Sequence, residues 1–402
     1  MASSRSEGEA TGTVRAEARE LLTWLRARED EMTEMLAALA RAESPSTDAR
    51  SQEAVRSLLA AELIDLGHRV REPAAAGGGR HLLARPADRR RGLPYQLLVG
   101  HLDTVWPVGT LEEMPVRTDG GRMFGPGVFD MKGGLVQAIF ALRALRAAGA
   151  EPDVAPVLMV SCDEEIGSRD SGRHIARLAR GAARALVLEP AFGRGGALKT
   201  RRKAVGAFTV TIAGRAAHAG IDPQSGVSAI LELSHQVQQL FALNDPDRGV
   251  TVNVGTIDGG LRPNVIAPEA SARLDVRVPT AADAVSVERA IRGLTPHLPG
   301  ITLRVDGGFG RPAMEATPRN RGLWQRALAH AASLGVALEE AAVGGASDGN
   351  TTSLHTATLD GLGAVGDGAH ALNEHVLVAT MAERAALLAL LLLEPDARRS
   401  AP

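Results

Sequence analysis

Pro156-Val157-Leu158-Met159-Val160 is an unbroken apolar run, and Ser161-Cys162-Asp163-Glu164-Glu165-Ile166-Gly167-Ser168 follows it directly. A short run of this kind reads as a strand covered on both faces, the pattern of a parallel sheet. The three consecutive acids at its end repel one another, and burying them is costly unless positive charge is near. Taken alone, such a triplet is most simply a solvated loop, since charged side chains are mostly exposed. The rest of the chain decides between a solvated loop and a charged site.

Working outward, Gln96–Val99 is a second strand-like run and Ala185–Leu188 a third. Between them Leu135, Ala138, Ile139, Leu142 and Leu145 make one face of a helix. Leu21, Leu22, Leu25, Met32, Met35 and Leu36 predict a helix over Ala16–Arg41, and Gln52–Leu66 predicts another. Apolar strands alternating with amphipathic helices imply an α/β fold with a mostly parallel sheet. The pattern changes near residue 205. Phe208, Val210 and Ile212 alternate with Thr209 and Thr211, as in a half-buried strand. A helix over Val227–Phe241, strands over Val250–Ile257 and Ala270–Val278, a helix over Ala282–Leu298 and a strand over Ile301–Val305 follow. That β-α-β-β-α-β order is ferredoxin-like α+β. After Arg311-Pro312 the α/β pattern resumes with a helix over Asn320–Leu334, so the smaller domain is inserted into the larger. The expected division is a disordered tail over 1–15, the larger domain over 16–204 and 313–402, and the insertion over 205–312.

Composition sets limits on function. The chain has 402 residues, enough for two or three domains, and its 45% hydrophobic content is that of a folded protein. A net charge of −2 gives no reason to expect nucleic acid or an anionic membrane as partner. Cys162 is the single cysteine, so no intrachain disulfide forms and a cytoplasmic setting is expected. The polar start, MASSRSEGEATGT, lacks the apolar core of a signal peptide. The most apolar segment, Ala385–Leu393, is too short to span a bilayer and reads as a buried C-terminal helix.

Three further groups of polar residues resemble the acidic one. Gln96–Val99 runs into Gly100-His101-Leu102-Asp103-Thr104, and Ala185–Leu188 into Glu189-Pro190. Gly125-Pro126-Gly127-Val128-Phe129-Asp130-Met131-Lys132-Gly133-Gly134 opens the helix containing Leu135. Ligands of parallel α/β sheets gather beyond the carboxyl ends of the strands. His101, Asp130, Glu165 and Glu189 offer nitrogen and oxygen without thiolate, which suits zinc, cobalt or manganese in a hydrolytic site. Two divalent ions would supply the positive charge the acids need, and His370 in the glycine-rich Gly361–His370 stretch offers a second imidazole. Singly, each has a plainer reading: a strand-end histidine, a helix cap for Asp130, an exposed turn for Glu189, a loop histidine for His370.

Together the motifs HLDTVWP, GPGVFDMKGG, DEEIGS, LEP, GRAAHAG, GGASDGN and GLGAVGDGAHALNEHV, in that order, resemble the dinuclear zinc metallopeptidases of the aminoacylase and glutamate carboxypeptidase family. The resemblance covers nearly the whole chain after the tail and implies a catalytic α/β domain interrupted by a ferredoxin-like lid and dimerisation domain. It implies two metal ions: His101 and Glu189 on one, Glu165 and His370 on the other, and Asp130 bridging. Asp103 would orient His101, and Glu164 would be the general base and acid. The ions would hold and acidify a water, and Glu164 would move its proton to the leaving nitrogen of a cleaved amide. His218 would polarise the scissile carbonyl, in dimeric relatives across the subunit interface, and Arg277 and Asn264 would contact the substrate, Arg277 through its free carboxylate. The implied activity is carboxypeptidase-like release of an amino acid such as glutamate from an N-acyl or peptidyl conjugate by a homodimer. An N-acyl amino acid deacylase or dipeptidase is the rival reading, and an inactive binding homologue the remote one. Asp367 where the family often has glycine, Ala204 in place of another common glycine, and the basic Thr200-Arg201-Arg202-Lys203 stretch depart from the pattern. That stretch reads as a solvated hinge, with an anionic substrate as the other reading.

Overall fold

The computed structural model describes residues 15–90 and 92–396. The expected tail therefore lies outside the described residues, except for Arg15, where a helix over 15–26 is already under way. The chain forms two units. One takes the chain to Thr200, Ala316–Ala341 and the part from Ser347 onward; the other takes Arg201–Glu315 and the short Ala342–Ala346 segment.

The larger unit is built on a six-stranded sheet. Ala155–Ser161 pairs in parallel with Tyr95–His101, which pairs in parallel with Arg184–Val187, which pairs in parallel with Ala357–Leu359. Two strands that periodicity alone leaves unmarked, His68–Arg71 and Leu82–Pro86, extend the sheet antiparallel at one edge. The unbroken apolar runs follow from this sheet being covered twice. Leu98, Leu158 and Leu186 face a core made with the helices Gly133–Ala147 and Met381–Leu393. Leu97, Val99, Val157, Met159 and Val187 face the opposite core, closed by Ile175 and Leu178 of the Ser171–Gly181 helix. Neither set of alternate residues meets water, so the chain shows no alternation.

One helix expectation in the larger unit is corrected. The single helix over Ala16–Arg41 is two, 15–26 and Glu29–Arg41, parted by a turn at Ala27 and Arg28. Arg28 leaves helical geometry to stack on Trp24 and bond its carbonyl. Glu29, Asp30 and Glu31 then occupy the first turn of the new helix, where its dipole favours negative charge. The apolar C-terminal helix begins at Met381 and contains Glu383 and Arg384. Arg384 is buried, and its guanidinium donates to the carbonyls of Gly196, Gly361 and Gly363. Burial pushes that guanidinium down to about 10. Among the described residues no helix is long and apolar enough to cross a membrane.

The smaller unit carries a four-stranded antiparallel sheet in the order Thr251–Gly259, Glu269–Val278, Ala204–Ala213, Thr302–Arg311. With the helices Ala229–Phe241 and Ala281–Arg292 the chain order is β-α-β-β-α-β. Phe208, Val210 and Ile212 are buried in its core while Thr211 is exposed, so here the alternation is real. The helix expected over Ala282–Leu298 stops at Arg292, because Gly293 ends it and Pro296 could not continue it. The α/β fold with an inserted α+β unit, expected from the residue pattern, is thus the fold the chain adopts.

Candidate metal centre

Parallel register assembles the centre. His101 is paired with Ser161, so the carboxyl ends of these two strands are level. Glu165 follows on one side of His101, and Glu189 follows the strand paired on its other side. Leu188, just before Glu189, is approached closely by the glycine loop: a Cβ on Gly134 or Gly363 would lie 2.0 or 2.2 Å from its carbonyl oxygen. Any side chain at either position would push Glu189 away from His101.

Asp130 occupies the middle. His101 Nε2 is 3.3 Å from Asp130 Oδ1 and 3.6 Å from Glu189 Oε1. His370 Nε2 is 3.6 Å from Asp130 Oδ2 and 3.1 Å from Glu165 Oε2. One carboxylate thus turns an oxygen to each imidazole. Asp130 does not cap the following helix, whose first turn carries no side-chain cap. His370 holds the left-handed conformation, φ 61°, uncommon for a residue with a Cβ and a strain typical of positions fixed by function. Glu164 also lies within ligand reach of His101 and Glu189.

The other acids hold the backbone. Asp103 lies beside His101, but the nearest contact of His101 Nδ1 is the Asp103 carbonyl at 2.9 Å, with the carboxylate at 3.5 Å. The Asp103 carboxylate accepts the N–H groups of Glu164 and Glu165, each at 3.2 Å, and the Ser46 hydroxyl at 2.6 Å. The carbonyl is thus the nearer partner of His101 Nδ1, the carboxylate also lies against the ring, and the same carboxylate sets the acid pair. Asp163, left without a role by the sequence, accepts the N–H groups of Asp170 and Ser171 and closes the same loop. Asp367, also flagged there, is exposed and accepts the N–H of Gly368.

The residues fit divalent cations. Asp130 Oδ1 and Glu165 Oε1 are buried without a hydrogen-bond partner, acceptor capacity that cations would fill. Burial opposes a charged His101, but Asp103 and Asp130 outweigh it and hold the imidazole well above its ordinary value. Glu165 raises His370 to about 9 against the effect of burial. Burial likewise opposes the charge of Asp130, but His101 holds its carboxyl below the usual range. Protons on the two imidazoles thus stand where cations would. Cys162 is buried, and burial with Asp163 pushes its thiol up to about 12, an inert thiol. A second cluster, His81, Asp170 and His174, is a structural network: Asp170 pairs with Arg173 and His81, whose Nδ1 accepts the Cys162 N–H.

The remaining expected residues lie in the smaller unit. His218 and Asn264 are neighbours there, on backbone joined by Ala219 N–H to the Asn264 carbonyl at 3.0 Å. Arg277 is engaged with both oxygens of Asp275, at 2.8 and 3.3 Å, and with the Gly344 carbonyl at 3.1 Å. Arg202, in the basic stretch read as a solvated hinge, is buried and donates to the Gly345 carbonyl, which corrects that reading for this residue.

Zinc loading near neutral pH should release protons from His101 and His370, and affinity should rise with pH toward about 9 as His370 deprotonates on its own. Calorimetric titration in buffers of unequal ionisation heat measures the release; the same apparent heat in every buffer would show the imidazoles to be neutral beforehand.

Comparison with known proteins agrees with this architecture. A family pattern described as peptidase family M20/M25/M40 matches residues 97–394. Carboxypeptidase G2 of Pseudomonas sp. (strain RS-16) is 29% identical over 367 residues, covering 89% of this chain and 88% of that protein. The structure of aminopeptidase PepT from Bacillus cereus superposes with a TM-score of 0.75 at 21% identity, over 90% of this chain and 96% of that one. The YXEP protein of Bacillus subtilis, described as a dinuclear metal binding peptidase, superposes with a TM-score of 0.67 at 14% identity, over 92% of this chain and 98% of that one. With most of its length matched by that pattern, and with the fold to go with it, the chain belongs to peptidase family M20/M25/M40.

Proposed function

We propose that this peptidase-family hydrolase is a two-metal enzyme that cleaves the amide bond of an N-acyl or peptidyl amino acid, releasing the C-terminal amino acid in carboxypeptidase fashion. The observation that carries the reading is Asp130, which offers one oxygen toward His101 and the other toward His370. His101 and Glu189 are assigned to one ion, His370 and Glu165 to the other, and Asp130 to both. Zinc suits this nitrogen and oxygen donor set, with cobalt or manganese as alternatives. When bound, such ions polarise a carbonyl and lower the pKa of water.

Glu164 is assigned the proton transfers. Its N–H is held by Asp103, which fixes where the side chain starts, and it lies beside His101 and Glu189. It takes a proton from the attacking water and returns it to the leaving nitrogen. Arg277 is assigned the substrate's free carboxylate. Its fork already grips the carboxylate of Asp275, so the geometry for a planar anion is formed, and a substrate would compete with Asp275. Asn264 is assigned a supporting polar contact. The similarity to carboxypeptidase G2 over most of both chains supports this substrate class.

A homodimer through the smaller unit completes the reading, with His218 steadying the carbonyl oxygen in the partner's site. Support comes from the Thr251–Gly259 edge strand with exposed Ile257, and from Ile230, Leu231 and Phe241 exposed on the Ala229–Phe241 helix. An unpaired edge beside exposed apolar side chains suits two-fold pairing.

Glu164→Gln should keep zinc yet lose about a hundred- to ten-thousand-fold in turnover; near-normal hydrolysis of N-acyl amino acids by the zinc-loaded variant would remove Glu164 from the role. Arg277→Ala should lower kcat/KM on substrates with a free carboxylate by about tenfold or more beyond the loss on the matching amides, consistent with a lost charge-assisted fork. Equal losses would point to a structural part for Arg277, paired with Asp275. Mixing Glu164→Gln with His218→Ala protein should restore activity by forming one intact composite site. No recovery despite demonstrated subunit exchange, or a strictly monomeric protein in sedimentation, would defeat the shared site.

A further inference from the structure

Glu374 is fully buried, and its carboxylate is filled by N–H groups. Oε2 accepts from Trp106 Nε1 at 2.8 Å and from Gly127 N at 3.0 Å. Oε1 accepts from Phe129 N at 2.9 Å and from Asp130 N at 3.0 Å. Its own carbonyl accepts from Gly125 N at 3.4 Å, and the next residue, His375, pairs with Phe124 in a short antiparallel sheet. Side chain and main chain of one residue thus fasten the whole 125–130 turn that carries Asp130.

Glu374 also belongs to the turn that carries His370. Ala371 N–H donates to the Gly368 carbonyl and Glu374 N–H to the Ala371 carbonyl, so the His370 turn ends on Glu374 itself. With both oxygens occupied, the carboxylate has no evident capacity left to bind a cation. We propose that Glu374 is a positioning residue of the metal centre: it ties the Asp130 turn to the His370 turn and so sets the spacing of the two ion positions. The inference rests on the two-metal reading above. Its chemistry calls for a carboxylate. An amide in its place offers one acceptor oxygen, and its NH₂ group would face two N–H donors that have no other acceptor there. Asp130 would then be free to turn toward one imidazole and leave the other.

Zinc binding to the full chain, measured by competition with a chromophoric chelator, resolves the two stepwise affinities for wild type, Glu374→Gln and Trp106→Phe. The wild type should take two ions. Folded Glu374→Gln should weaken the second by about ten- to a hundred-fold, the usual cost of losing a partner behind the ligands, and the first by much less. Trp106→Phe, which removes one donor of the four, should shift the same ratio by a few-fold. The visible spectrum of cobalt-loaded Glu374→Gln should change with the ratio. A merely structural residue would lower the melting temperature while leaving ratio and spectrum alone, and that result in folded Glu374→Gln overturns the inference. If Glu374→Gln does not fold, unchanged stepwise affinities in Trp106→Phe overturn it. A wild type that binds fewer than two zinc ions would instead bring down the two-metal reading, and this inference with it.

Discussion

A single half-buried carboxylate stands between two imidazoles, and much of the larger unit serves that arrangement. Asp130 can face His101 and His370 at once only if a strand end, a helix-opening turn and a C-terminal loop meet within ion-pairing distances. Parallel pairing levels His101 with the strand that leads to Glu165. Glycines at 134 and 363 let backbone pass against the Leu188 carbonyl where any side chain would collide. Arg384 ties the same glycine loop to the buried C-terminal helix. The charged centre is therefore held by the apolar core beneath it, which is close-packed and yields little.

So many acids in one place are tolerable because they divide into two kinds. Asp103 and Glu374 have both oxygens taken by N–H and O–H donors, and Asp163 accepts two backbone N–H groups on Oδ2, its Oδ1 being left unpaired. Partial positive charge of that kind stabilises a carboxylate where it sits and holds the loop in return. Asp130, Glu165 and Glu189 instead converge on the imidazoles, with buried oxygens of Asp130 and Glu165 left unsatisfied. The negative field of this second group lifts both imidazoles above their ordinary values. It is the kind of field that a pair of dications would neutralise, at the expense of protons. The first kind makes the second kind stable in place: where Asp103 clamps Glu164 and Glu165, it orders repelling neighbours into distinct directions.

The elements whose identity depends on local pattern were legible in the chain. The apolar runs at 96–99, 157–160 and 185–188 read as strands covered on both faces, and the alternation at 208–212 as a strand covered on one, and the structure has them so. Those two periodicities imply two kinds of sheet, and the position of the second inside the first implies an insertion. The polar residues at the ends of the runs, His101, Glu165 and Glu189, could be placed at one edge because parallel strands share a direction. The break at Ala27 and Arg28 was legible in principle, through the acids of 29–31, but the apolar spacing runs across it. The antiparallel edge strands His68–Arg71 and Leu82–Pro86 are short and mixed in polarity, so nothing local marks them.

Residue types and their order along the chain determined the fold class, the insertion and the set of donors able to hold metal, because these depend on periodicity and on which strands end in which side chains. The partners of those donors were decided only in three dimensions. Asp103 was expected to hold His101 through its carboxylate, yet the nearer contact is its carbonyl, because the backbone turn after the strand brings that oxygen closer. Arg277 was expected to take the substrate's carboxylate, and its fork is engaged with Asp275, two residues away on the same face of its strand. Glu374 carried no signal beyond a place in a motif, since the four N–H groups it accepts come from two segments 244 to 268 positions earlier in the chain. Hydrogen bonds at such separations are set by which loops the packed core brings together, and no pattern along the chain records that.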